Sequence, residues 1–210
     1  MKKIALITTI IGSIIILGAC QQSDEIVYPY PFDSAKIVYQ HSGIVEGQTE
    51  LLIKGNKNVH NTDAVTTYDD IETEVKASVI QTPEGVYQVD LVNKTATITE
   101  NTLYNELKKA GSDEERKKIL VQMATNGQNI GESTDTKEIA GKTCDVFVID
   151  QMGEVCIWES IALATSLTLG DEETNLEAVS VETNVNIPDS AFEIPNDVTV
   201  TDLRNNNAEQ

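Results

Sequence analysis

The chain has 210 residues, and its 15 basic against 34 acidic side chains give a formal net charge of −19. That balance excludes nucleic acid as a partner and sets the surface against anionic headgroups, since both need clustered Lys and Arg. The length suits one domain with one substantial core.

Lys2 and Lys3 precede the apolar run Ile4 to Ile16, too short to span a bilayer comfortably, and Leu17-Gly18-Ala19-Cys20 closes it with small residues. This is the layout of an export signal. The tetrapeptide resembles the bacterial lipobox. The resemblance implies that residues 1–19 are a signal peptide removed before Cys20, whose sulfur takes a diacylglycerol and whose new amine takes a further chain such as palmitate. The membrane is then the first partner, reached through lipidated Cys20. At about 0.8 kcal/mol per buried methylene, two or three chains hold permanently. Gln21 is not the aspartate that retains such proteins at the inner membrane. In a host with two membranes the expected address is therefore the cell outer membrane, facing the periplasm.

Residues 20–33 read as lipid anchor and tether, polar at first and then alternating Tyr and Pro. Extended at about 3.1 Å per residue, the tether reaches roughly 40 Å. Tyr28, Tyr30 and Phe32 either pack its end against the domain or grip a membrane or partner.

Residues 34–202 form the folded body, dominated by period-two patterning. Strands are expected at Lys36–His41, Glu50–Lys54, Ile71–Val79, Tyr87–Leu91, Thr143–Trp158 as strand, turn and strand, Val155–Leu163, Thr165–Leu169 and Val179–Ile187. In the Ile71 strand, Ile71, Thr73, Val75, Ala77 and Val79 are expected on the core face, with Asp70, Glu72, Glu74, Lys76 and Ser78 in water. Turn residues stand at Pro83-Glu84-Gly85, Asp150 to Gly153 and Gly170-Asp171. Such alternation belongs to antiparallel sheets with one wet face.

One stretch departs from it. Leu103, Tyr104 and Leu107 share a helical face ended by Gly111. Ser112 and Glu115 form a capping box that opens a second helix carrying Ile119, Leu120 and Met123. The pair reads as a helical hairpin between sheet halves, covering the concave face of a curved sheet.

Of the three cysteines, lipid takes Cys20. Cys144 and Cys156 share a parity across the turn near Asp150, which places them opposite or diagonal, so an exported setting predicts a disulfide. Trp158 is expected beside it. After Ile187, Pro-Asp-Ser-Ala-Phe-Glu-Ile-Pro reads as one turn burying Phe192, followed by a strand near Val198–Thr201 and a disordered tail, 203–210.

Five fragments then resemble a group of bacterial lipoproteins of undefined activity: Lys36-Ile-Val-Tyr-Gln-His-Ser-Gly, Tyr87-Gln-Val-Asp-Leu-Val-Asn-Lys-Thr, Ala140-Gly-Lys-Thr-Cys-Asp-Val-Phe, Cys156-Ile-Trp-Glu-Ser-Ile-Ala-Leu and Ile187-Pro-Asp-Ser-Ala-Phe-Glu-Ile-Pro. Their domain resembles the lipoprotein carriers LolA and LolB. The resemblance implies an α+β fold, an open half-barrel of curved antiparallel sheet clasping helices over an apolar hollow. It carries over no activity.

The chemistry-bearing residues point away from catalysis. His41 and His60 stand in no metal or nucleophile spacing, and no catalytic motif, metal site or cofactor is expected. The acidic run Asp69, Asp70, Glu72 and Glu74 reads as a solvated face rather than a calcium loop. Two readings remain. In the first, the hollow binds an acyl ligand or lipidated client, lined by Leu107, Ile119, Leu120, Met123 and Trp158. In the second, the protein is a non-enzymatic interaction or sensor module docking onto another envelope protein.

Overall fold

The computed structural model describes residues 28, 30–124, 132–149, 153–169 and 172–204. The expected signal peptide, Cys20, most of the expected tether, residues 150–152 and 170–171 of the expected turns, and residues 205–210 of the expected tail lie outside the described residues.

The chain builds two meanders. The first runs through β1 (Ser34–Gly43), β2 (Val45–Lys54), β3 (Lys57–Tyr68), β4 (Ile71–Thr82), β5 (Gly85–Asp90) and β6 (Thr95–Thr99). Helices α1 (Thr102–Lys109) and α2 (Asp113–Ala124) follow. The second meander is β7 (Asp135–Ile139), β8 (Lys142–Ile149), β9 (Gly153–Trp158), β10 (Ile161–Leu169) and β11 (Glu172–Thr183), and β12 (Thr199–Asp202) comes last. β11 returns to pair with β1, fusing both meanders into one twelve-stranded sheet, β12-β6-β5-β4-β3-β2-β1-β11-β10-β9-β8-β7. Every pairing is antiparallel except β12 with β6, which is parallel. The result is a large, open, curved and mostly antiparallel sheet with a small helical hairpin.

Both faces of this sheet carry core, over different parts of it. On one face Leu52, Val59, Ile80, Val89 and Ala96 are covered by the segment after β11, through Ile187 and Phe192. The alternate residues Ile37, Leu51, His60 and Val79 stand in one cross-strand row on the other face, which the helices cover. This corrects the expected face of β4. Ser78, Ile80 and Thr82 are its buried residues, while Ile71 is 67% exposed. The helices stop short of the β3–β4 tip, so the apolar alternation there has nothing to pack against.

Other boundaries differ from the sequence pattern as well. β3, β6 and β7 are strands that the pattern does not announce. The expected strand Val155–Leu163 is broken by the two-residue turn Glu159-Ser160, whose φ values of 47° and 68° are the left-handed pair of a type I′ hairpin. Neither residue advertises such a turn. β11 stops at Thr183, where Asn184 takes φ 56° and its Oδ1 accepts from Asp33 N–H. Val185 and Ile187 therefore leave the sheet, and Ile187 joins the core from above.

Candidate functional site

The hairpin is held by its own polar groups. Asn101 caps α1 by accepting from Tyr104 N–H at 2.8 Å, and its amide donates to Thr82 O, tying the helix start to β4. Ser112 Oγ accepts from Glu115 N–H, while the Glu115 carboxylate accepts from Gly111 N–H at 2.6 Å, one residue earlier than in the usual capping box. Arg116 clamps the two helices. It donates to Leu107 O and Ala110 O at the end of α1 and to Asp113 in α2.

Leu107 and Leu120 pack with Tyr28 beneath this hairpin, flanked by Leu103 and Ile119. Between the hairpin and the sheet lies a cavity of about 300 Å³. Its walls are apolar at Leu51, Ile53, Leu103, Leu120 and Leu176, and polar at Asn58, His60 and Gln81.

Two features shape the cavity's chemistry. Tyr39 donates to Ala162 O at 3.0 Å, and burial raises the pKa values of Tyr39 and Tyr30 far above the usual phenol range. Burial pushes Tyr28 up to about 12. Nearby, His41 Nε2 and Thr49 Oγ1 are 2.7 Å apart, and Thr49 Oγ1 is 2.9 Å from Thr62 Oγ1, a short polar chain leading from the sheet's rim.

Burial lowers the pKa values of His60 and His41. A histidine kept neutral in the folded state binds more protons when unfolded. Its stabilising share is thus present above about pH 6.5, the unfolded value, and is lost as pH falls from there through the lowered folded value. Thermal melts should lose stability as pH falls below about 6.5, and His60→Gln should flatten that slope. An unchanged slope would show that His60 is not protected from protonation by the fold.

The sequence-derived site residues separate into three groups. Leu120 and Met123 line the cavity. Leu107 is fully buried behind it, and Ile119 packs beside Leu107's cluster. Trp158 lies elsewhere, stacked on Phe32 with centroids 5.6 Å apart, at the end of a ladder in which Tyr28, Tyr30 and Phe32 also stack. Lys142 Nζ stands 5.1 Å above the Trp158 ring. The aromatic residues of the expected tether thus lie on the domain. Cys144 and Cys156 form a disulfide with Cα atoms 5.4 Å apart. Val146 is the residue directly across from Cys156, so the bridge is diagonal.

Tyr39, Asn58, His60, Gln81 and Leu176 are site residues that sequence reasoning missed. Asn58 and His60 share a parity on β3, a signal available only once β3 is known to be a strand. Among the described residues, no cluster of His, Cys, Asp and Glu is placed to hold a metal ion, and no helix is long and apolar enough to cross a membrane.

The architecture defines a broad class: an open, curved sheet with a cavity under an inserted hairpin. No protein-family model matches the chain, and no curated protein matches it by sequence. Among solved structures, an uncharacterised conserved protein from Thermus thermophilus is similar with a TM-score of 0.51 at 9% identity, over 82% of this chain and 91% of that one. PNGF-II is similar with a TM-score of 0.45 at 14% identity, over 83% of this chain and 31% of its own. Pseudomonas aeruginosa MucA/MucB gives 0.41 at 8% identity, over 85% and 59%. The Thermus likeness spans nearly all of both chains and is one of fold.

Proposed function

We propose that the protein is a non-enzymatic envelope lipoprotein whose cavity holds a single acyl chain, belonging to a lipid or to a lipidated client. The observation that carries this reading is the cavity of about 300 Å³, walled by leucine and isoleucine beneath the hairpin. Ligand pockets run from about 300 to 1,000 Å³, so this one suits one chain rather than two. The lipobox-like Leu17-Gly18-Ala19-Cys20 supports anchoring. Tyr28 packs on the domain beside the cavity, which leaves eight residue steps back to Cys20. At most ~3.6 Å per step, the cavity stays within roughly 30 Å of the acylated cysteine. That is closer to the bilayer than a free tether allows. Labelling with an alkyne fatty acid should mark the wild type and not Cys20→Ala; an unlabelled wild type would end the lipoprotein reading.

The cavity is tested directly with the soluble chain from Gln21 onward, which retains every described residue. It should bind an uncharged fluorescent acyl probe. Leu120→Trp, which fills the space, should abolish that binding while the protein still melts cooperatively. Unchanged probe binding by Leu120→Trp would reject the site. The second reading, an interaction module, draws on the tip of β3–β4, where Tyr68 and Ile71 are 64% and 67% exposed.

A further inference from the structure

Among the described residues, none lining the cavity is Lys, Arg, Asp or Glu. Its polar wall nevertheless carries a buried atom with no hydrogen-bond partner among the described residues, Asn58 Oδ1. Asn58 uses only its amide nitrogen, in a long 3.4 Å contact to Gln81 Oε1. Buried polar atoms are rarely left unpaired, because each has given up water and gained nothing. A ligand group that donates to Asn58 Oδ1 recovers that loss.

We infer that the cavity selects amphiphiles whose head is uncharged and donates a hydrogen bond, such as a fatty alcohol, a fatty amide or a protonated fatty acid, over those with an anionic head. This rests on the acyl-chain reading and adds the class of head group. Asn58 Oδ1 is an acceptor and repels a carboxylate or phosphate. Among the described residues of the lining, no Lys or Arg offsets the desolvation of an anion. Among the described residues His60 is the lining residue able to become cationic, and burial lowers its pKa, which disfavours the charged form. The net charge of −19 opposes an anion's approach as well. A head that donates satisfies the wall without a buried charge.

Competition against N-phenyl-naphthylamine bound to the soluble chain from Gln21 tests this. At about pH 8, decanol and decanamide should displace the probe at roughly tenfold lower concentration than decanoate or decyl phosphate. Near pH 5, decanoate should gain as it protonates, and decyl phosphate, still an anion, should not. Decanol should also outcompete decyl methyl ether, which cannot donate, by about fivefold, and Asn58→Leu should erase that margin. Equal displacement by decanoate and decanol at pH 8, or by decanol and its ether, overturns the inference and leaves the acyl-chain reading standing. Failure of the wild type to bind the probe overturns both.

Discussion

Cys144→Ala in the soluble chain should melt about 6 to 12 °C below the wild type, and a reducing agent should lower the wild type by a similar amount. The bridge closes a loop with a sequence separation of 12, for which chain entropy gives about 3 kcal/mol. For a domain of this size, each kcal/mol moves the midpoint by about 2 to 4 °C. Cys144 is 1% exposed and Cys156 3%, within the cluster that includes Leu163 and Ala178, so the bridge joins β8 and β9 inside packed core. Alkylation of both thiols in the undenatured protein would show that the bond does not form.

Leu107→Ala is the other large effect, with an expected loss of about 2 to 5 kcal/mol. Leu107 is 0% exposed and is wedged with Tyr28 and Leu120 where the hairpin meets the sheet. Truncating it removes packing on every side, and amide exchange across Thr102–Lys109 should accelerate with the fall in stability. Leu120→Ala provides the contrast. One side of Leu120 faces the cavity, so it has fewer partners to lose and should cost clearly less. Equal losses at both positions would mean that the space beneath the hairpin is collapsed core rather than a cavity.

The elements most legible in the sequence are those whose neighbours matched a one-sided pattern. β1 and β5 show this, and the single turn at Asp189–Phe192 with Phe192 buried was legible too. The hairpin was legible because its caps are local chemistry. Ser112 and Glu115 act within a few residues of themselves, whereas Asn101, which the pattern did not single out, also ties α1 to Thr82 on β4. β3 was hidden because its central residues, His60, Asn61, Thr62 and Asp63, are polar. Cross-strand bonds satisfy two of them, Asn61 accepting from Ser78 Oγ at 2.7 Å and Thr62 meeting Thr49. A strand whose polar groups are paired across the sheet carries no apolar alternation to read.

The sequence by itself determined the local and the covalent: the lipobox-like tetrapeptide at 17–20, the two strands that bring Cys144 near Cys156, the capped helical hairpin and the strong acidity. Only the tertiary structure decided which face of β4 is buried, since that depends on where two distant segments happen to cover the sheet. The hairpin lies over Leu51 and His60, while the stretch carrying Phe192 lies over Ile80. The cavity likewise belongs to no single segment. Tyr28, Asn58, Gln81, Leu120 and Leu176 come together only when β11 closes against β1 and the hairpin folds back, because burial is a property of what packs against a residue rather than of the residue.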